Sequence, residues 1–81
     1  MNIISKNWQE VWELYGVSEK DYNNICKKKG INIADNLILG KKDDYGIMHI
    51  QVAIRKKERE GTKKKLQEYL ICQGFTRIYP N

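Results

Sequence analysis

The chain has 81 residues with 15 basic and 10 acidic side chains, which gives a formal net charge of +5. This length leaves room for one hydrophobic core, so we expect a single domain over residues 1–81. An apolar content of 41% argues against a disordered chain, and no apolar run approaches the ~20 residues that span a membrane. The N-terminus also lacks the apolar segment of a signal peptide, so we expect a cytoplasmic protein without membrane contact.

The first apolar pattern predicts a short helix. Trp8, Val11, Trp12 and Tyr15 occupy positions i, i+3, i+4 and i+7, which places four apolar side chains on one helical stripe. Gly16 follows as the residue that closes the helix. We interpret the two tryptophans as core residues; an aromatic interface with a partner or a second copy of the chain is the alternative.

A second helix is predicted directly afterwards. Ser18 is its N-cap, and Tyr22, Ile25 and Cys26 form its buried stripe. The triplet Lys27–Lys29 fills the last turn, where the helix dipole favours cations.

The middle of the chain predicts a β-hairpin. Leu37–Leu39 is a short strand that ends at Gly40, and residues 41–46 form a polar hairpin loop. Residues 47–55 then alternate apolar and polar side chains, which is the clearest strand pattern in the chain. Residues 31–36 stay ambiguous between a strand and a turn.

The C-terminal part predicts a helix over Thr62–Gln73 and a last strand over residues 75–79. The expected order is therefore ααββαβ: two short helices, a β-hairpin, a crossover helix and a C-terminal strand. This order indicates an α+β fold with helices packed on one face of a three-stranded sheet.

The net charge is concentrated in one segment. Residues 55–65, the basic segment, hold seven basic and two acidic side chains, so their surplus equals that of the whole chain. Concentrated positive charge attracts polyanions. The predicted helix start also puts Lys63–Lys65 in a first turn, where the dipole disfavours cations unless an anion binds there. We therefore expect an anion site around Gly61 and Thr62; a solvated lysine-rich surface is the alternative.

Two further basic clusters, Lys27–Lys29 and Lys41–Lys42, extend this surface if all three share one face. The candidate residues for binding nucleic acid or another anion are Arg55, Lys56, Lys57, Arg59, Gly61, Thr62, Lys63, Lys64, Lys65, Lys27, Lys28, Lys29, Lys41 and Lys42.

The sequence predicts no catalytic residue, no metal site and no cofactor. His49 is the only histidine and Cys26 and Cys72 are far apart, so the spacing of metal ligands is absent. We interpret His49 as an exposed strand residue on the face opposite Met48. Tyr45, which could stack on a base, is interpreted as the cap of the hairpin.

These observations predict a small basic accessory protein that binds DNA or RNA and is not an enzyme. Ile, Lys, Asn and Tyr supply 35 of the 81 residues, and their AT-rich codons suggest a low-GC bacterial, phage or plasmid genome. We expect a protein that is encoded by a phage or a mobile element. One alternative is an inhibitor or adaptor of the anti-CRISPR or anti-restriction type, which binds the anionic surface of a host enzyme. A small toxin-type ribonuclease that uses Arg77 and Tyr79 is a minor alternative, and a homodimer is possible.

One local resemblance accompanies these patterns. Residues 61–78 contain a glycine, a basic run, an apolar helix and a Gly-Phe-x-Arg strand, in the order Gly61, Lys63–Lys65, Leu66–Cys72 and Gly74–Arg77. This run resembles a helix-to-strand segment of the excision-repair ATPase family. It covers less than a quarter of the chain and includes no nucleotide-binding motif, so it implies no function.

Overall fold

The computed structural model describes residues 6–80, which form four strands and three helices. Their order is β1 (Trp8–Ser18), α1 (Glu19–Cys26), α2 (Ile33–Asn36), β2 (Leu37–Lys42), β3 (Ile47–Arg55), α3 (Glu60–Cys72) and β4 (Thr76–Tyr79). The sheet has the strand order β2-β3-β1-β4, and every neighbouring pair is antiparallel. The predicted α+β class is confirmed, whereas the three-stranded sheet and the ααββαβ order are wrong in detail.

The connectivity follows from the position of β1 in the middle of the sheet. β3 and β4 both run antiparallel to β1, so they point in the same direction with β1 between them. The crossover through α3 therefore joins two strands that are not neighbours. With α1 and the one-turn α2 taken as a single connection, the order is the β-α-β-β-α-β arrangement called ferredoxin-like or split β-α-β.

The first predicted helix is instead the central strand β1. β1 carries large apolar side chains on both of its faces, so they do not alternate strictly with polar ones. Trp12 pairs with Val52 on one face, and Val11 pairs with Ala53 on the other. Large side chains on both faces of a strand can thus reproduce the i, i+3, i+4 spacing of a helix. The two tryptophans do not share a stripe, because Trp8 pairs with Arg55 across a bulge.

Gly16 lies at a β-bulge instead of a helix end. The pairing shifts register between Tyr15 and Val17, and Gly16 adopts a φ of 84°. Only glycine enters this region readily, both after a helix and at a bulge. A glycine at this position therefore indicates a positive φ, but it does not distinguish a helix end from a β-bulge.

One face of the sheet carries the helices and the core. Residues opposed across an antiparallel pair project to the same face, so the β3 residues Met48, Ile50, Val52 and Ile54 share one face with Trp12. These residues form one apolar cluster with helix residues from all three helices; the helix contributions are Ile25, Ile33, Leu66 and Leu70. The opposite face has none of these helix residues and is called the open face below.

The predicted second helix, hairpin and third helix are found close to their expected positions. The Ser18 hydroxyl accepts a hydrogen bond from the Asp21 N–H at 3.1 Å, as an N-cap should. Ile25 is buried, with Tyr22 and Cys26 partly buried beside it.

Among residues 6–80, no helix is long and apolar enough to cross a bilayer.

Candidate nucleic-acid interface

The basic segment begins where β3 ends, and the protein holds this loop in place. The Glu58 N–H donates to the Arg55 carbonyl at 3.2 Å, and the Lys56 N–H donates to the Asn7 carbonyl at 2.8 Å. Buried Asn36 donates both to the Ala53 carbonyl at 2.8 Å and to the Glu58 carboxylate at 3.2 Å. The loop is therefore tied to α2 and to β3, so its lysines project from a fixed backbone.

Arg55 differs from the other cations of the segment. Its guanidinium donates to the Asp35 carbonyl at 2.6 Å, and the side chain is half-buried. Lys56, Lys57 and Arg59 are exposed and enter no ion pair of the described chain. Arg55 thus helps to hold the loop in place as well as carrying charge, while Lys56, Lys57 and Arg59 present their charges to solvent.

The observed start of α3 weakens the unfavourable interaction that the sequence predicts between Lys63–Lys65 and the helix dipole. The helix begins at Glu60, two residues earlier than predicted, so an acidic residue stands in the first turn. The Lys63 N–H already donates to the Arg59 carbonyl at 2.9 Å, which places Lys63–Lys65 beyond that turn. Lys63 also lies 3.5 Å from the Glu60 carboxylate, and its side chain is only 12% exposed. The lysines therefore do not oppose the dipole as strongly as the sequence indicated.

The first turn of α3 still presents free polar groups. Arg59 occupies the N-cap position, and its side chain makes no capping hydrogen bond. The N–H groups of Glu60, Gly61 and Thr62 precede the first intrahelical bond, so they are available to an acceptor outside the helix. A hollow of about 410 Å³ opens beside this turn. Its lining consists of Gln9, Glu60, Gly61, Lys63, Lys64 and Gln67.

The structure does not join the basic clusters into one surface. Lys41 pairs with His49 on the open face, whereas Lys42 pairs with Met48 on the helix-covered face. The Lys42 ammonium lies 3.1 Å from the Glu19 carboxylate. Both lysines belong to β2, not to the predicted loop. His49 and Arg55 are six residues apart along β3, so about 20 Å separates the Lys41–Lys42 cluster from the basic segment.

The Lys27–Lys29 cluster follows α1 instead of filling its last turn. The helix ends at Cys26, and Lys27 is its C-cap residue. Lys27 and Lys28 line a shallow hollow together with Gly30 and Ile31. The three lysines therefore belong to the helix-covered side of the molecule.

A group of residues that the sequence did not single out lies on the open face. The rings of Tyr15 and His49 stack, with centroids 4.0 Å apart and an interplanar angle of 24°. The His49 Nε2 lies 2.6 Å from the Glu13 Oε1, which also accepts from the Gln51 Nε2 at 3.3 Å. Tyr15 is 68% exposed, whereas the His49 side chain is 19% exposed beneath it. The prediction of His49 as a simple exposed residue is therefore wrong, although its face is confirmed.

The alternation of residues in β3 already indicates half of this group. The other half becomes predictable only when residues 8–18 are interpreted as a strand. His49, Gln51, Ala53 and Arg55 form the polar register of an alternating strand. A strand over 8–18 would have placed Glu13 and Tyr15 opposite this register.

Three partly buried groups between α1 and α3 have shifted pKa values. Burial raises the pKa of the Cys26 thiol, and a hydrogen bond with Tyr22 lowers it in part. Burial also raises the pKa of Tyr22 and of Tyr69, and the neighbouring Cys26 adds to both. These groups stay protonated at neutral pH and pack inside the molecule. Cys72, at the end of α3, is exposed.

The described part of the chain offers no cluster of three or more His, Cys, Asp or Glu side chains that could hold a metal ion. The chain matches no protein-family model, no curated protein and no solved structure.

Proposed function

We propose that the chain is a small accessory protein that binds nucleic acid and contacts phosphates through the basic segment, residues 55–65. The observation that carries this proposal is that the chain's whole surplus of positive charge comes from a loop and helix start that the protein holds in place. Fixed cations lose less conformational freedom on binding than cations on a mobile tail, which favours their use as a phosphate site.

The contacts divide the segment by role. Exposed Lys56, Lys57, Arg59, Lys64 and Lys65 have no ion-pair partner among residues 6–80, so each can meet a phosphate without breaking an existing pair. The free N–H groups at Gly61 and Thr62 add donors of the kind that bind phosphate at helix starts.

Binding to labelled duplex DNA, single-stranded DNA and single-stranded RNA, measured by fluorescence anisotropy against salt concentration, tests the proposal. Each lost phosphate contact should reduce the slope of log affinity against log salt by about 0.9 on duplex DNA. Lys64→Gln should show this loss. Lys20→Gln is the matched control, because Lys20 is an exposed helix lysine outside the segment and the charge change is the same.

The absence of binding at low salt, or a flat salt slope, would contradict the proposal. Capture of a protein partner from nuclease-treated lysate, together with such a flat slope, would favour an inhibitor or adaptor instead.

A further inference from the structure

We propose that the open face of the sheet takes an unpaired base of single-stranded nucleic acid, with Tyr15 as the stacking platform. This inference rests on the proposed function and extends it from phosphate contacts to the class of strand that is bound. It begins from a tyrosine on a central strand whose ring is stacked on one side and exposed on the other.

The Tyr15–His49 pair has the geometry of a prepared stacking surface. His49 supports one side of the Tyr15 ring at 4.0 Å, and its own position is fixed by the Glu13 carboxylate at 2.6 Å. Tyr15 is 68% exposed, and it lies in β1 beyond the three residues of that strand that pair with β4. A ring held by a second ring loses little freedom when a base stacks on its free side, and four-stranded sheets with exposed aromatics bind unpaired bases in this way.

A second, independent observation points to a ligand on the same face. Gln51 is only 7% exposed, and its Oε1 is buried without a hydrogen-bond partner in residues 6–80. Its Nε2 is already used by Glu13. Buried acceptors are nearly always satisfied. Because the Gln51 Oε1 is closed to solvent in the free protein, the side chain would have to rotate outward before this acceptor could meet an amino or imino group of a base.

The charges on this face favour a nucleic acid over a protein strand. They also determine that its bases, and not its phosphates, face the sheet. Lys41 pairs with His49 at one end of the face, and Arg55 and the basic segment lie at the other end. Glu13 lies between them and would repel a phosphate placed directly above it. The bases must therefore face the sheet, with the phosphates along the margins where the cations are.

Two labelled twelve-residue strands, oligo(dT) and oligo(rU), test the proposal beside an abasic strand of equal length that keeps the phosphates. Wild-type protein should bind the two base-containing strands more tightly than the abasic one. Tyr15→Leu should weaken binding of the base-containing strands roughly 5- to 100-fold and leave binding of the abasic strand unchanged. Tyr15→Phe, which keeps the ring, should retain affinity.

Tyr45→Leu is the matched control, since Tyr45 is 91% exposed in the turn between β2 and β3 and is not part of the stacked pair. Equal wild-type affinity for abasic and base-containing strands would overturn the proposal without any variant. Equal losses for Tyr15→Leu on both kinds of strand would overturn it as well. A change from dimer to monomer in Tyr15→Leu, with unchanged strand affinity, would assign the face to self-association instead.

The result on duplex DNA separates this proposal from the one on which it rests. Steep salt-dependent binding of a duplex, without dependence on Tyr15 for any single strand, would remove the open-face site and leave the phosphate site. Failure to bind any nucleic acid at low salt would remove both.

Discussion

Glu10 shows at the scale of one residue how a buried charge is held inside this small core. Its side chain faces α3, and both carboxylate oxygens are used. Oε1 accepts from the Trp12 indole N–H at 2.8 Å, and Oε2 accepts from the Gln67 amide at 2.9 Å. The residue is only 8% exposed, so these two donors replace the water that the carboxylate loses.

We therefore expect Glu10→Gln to destabilise the protein by about 1–3 kcal/mol, because the new amide brings a donor to a place where a donor already points. Urea unfolding followed by tryptophan fluorescence measures this change. Glu68→Gln serves as the control, since Glu68 lies exposed on the same helix α3. Equal unfolding free energies for the two variants would contradict the assigned role of Glu10.

The pKa values of Cys26, Tyr22 and Tyr69 predict how stability depends on pH. All three are raised, chiefly by burial, so the folded state holds these protons more tightly than the unfolded chain. Their contribution is complete below the ordinary thiol and phenol pKa values and is lost as the pH rises through the folded ones.

The urea midpoint should consequently fall at alkaline pH, beginning above about pH 8.5 where thiols ionise. The first part of this fall should be smaller in Cys26→Ser, which has no thiol proton to lose. A midpoint that stays constant or rises from pH 8 to pH 10 would contradict the prediction.

At the scale of elements, the sequence predicts those whose apolar residues repeat with a regular period better than the one whose apolar residues do not. Helices α1 and α3 each bury one stripe of apolar residues, and β3 alternates apolar and polar side chains although it is an inner strand. A local window of sequence therefore identifies all three. β1 instead carries apolar side chains on both of its faces, with Val11 and Tyr15 on the open face and Trp12 and Leu14 on the helix-covered face. Its pattern therefore depends on tertiary contacts that no local window contains.

Two glycines provide a test of the backbone at this scale. A methyl group added at Gly61 or at Gly16 would meet nothing within 4 Å, so packing does not distinguish them. Gly61 is helical, and Gly61→Ala should stabilise the protein by roughly 0.5–1 kcal/mol. Gly16 has a φ of 84°, and Gly16→Ala should cost about 1–2 kcal/mol.

Thermal and urea unfolding of both variants checks this pair. Opposite signs are expected, and the same sign for both substitutions would contradict the bulge at Gly16 or the early start of α3 at Glu60.

At the scale of the whole molecule, the charge and the aromatic residues are distributed over different parts of the sheet. The basic segment extends from one end of β3 into α3, Lys41 and Lys42 lie near the other end, and Lys27–Lys29 lie on the helix-covered side. The sequence could locate the charge because charge is a property of composition. It could not locate the open face, because Glu13, Tyr15, His49 and Gln51 meet only through the pairing of β1 with β3.

This distribution leads to the central claim, that nucleic acid lies across the open face and continues to the basic segment. Titration of ¹⁵N-labelled protein with the oligo(dT) strand at low salt, followed by amide chemical shifts, tests it most directly. The largest shifts should occur at residues 55–65 and at Tyr15 and His49. Shifts confined to α1 and the helix-covered side, or no shifts at all, would contradict the claim.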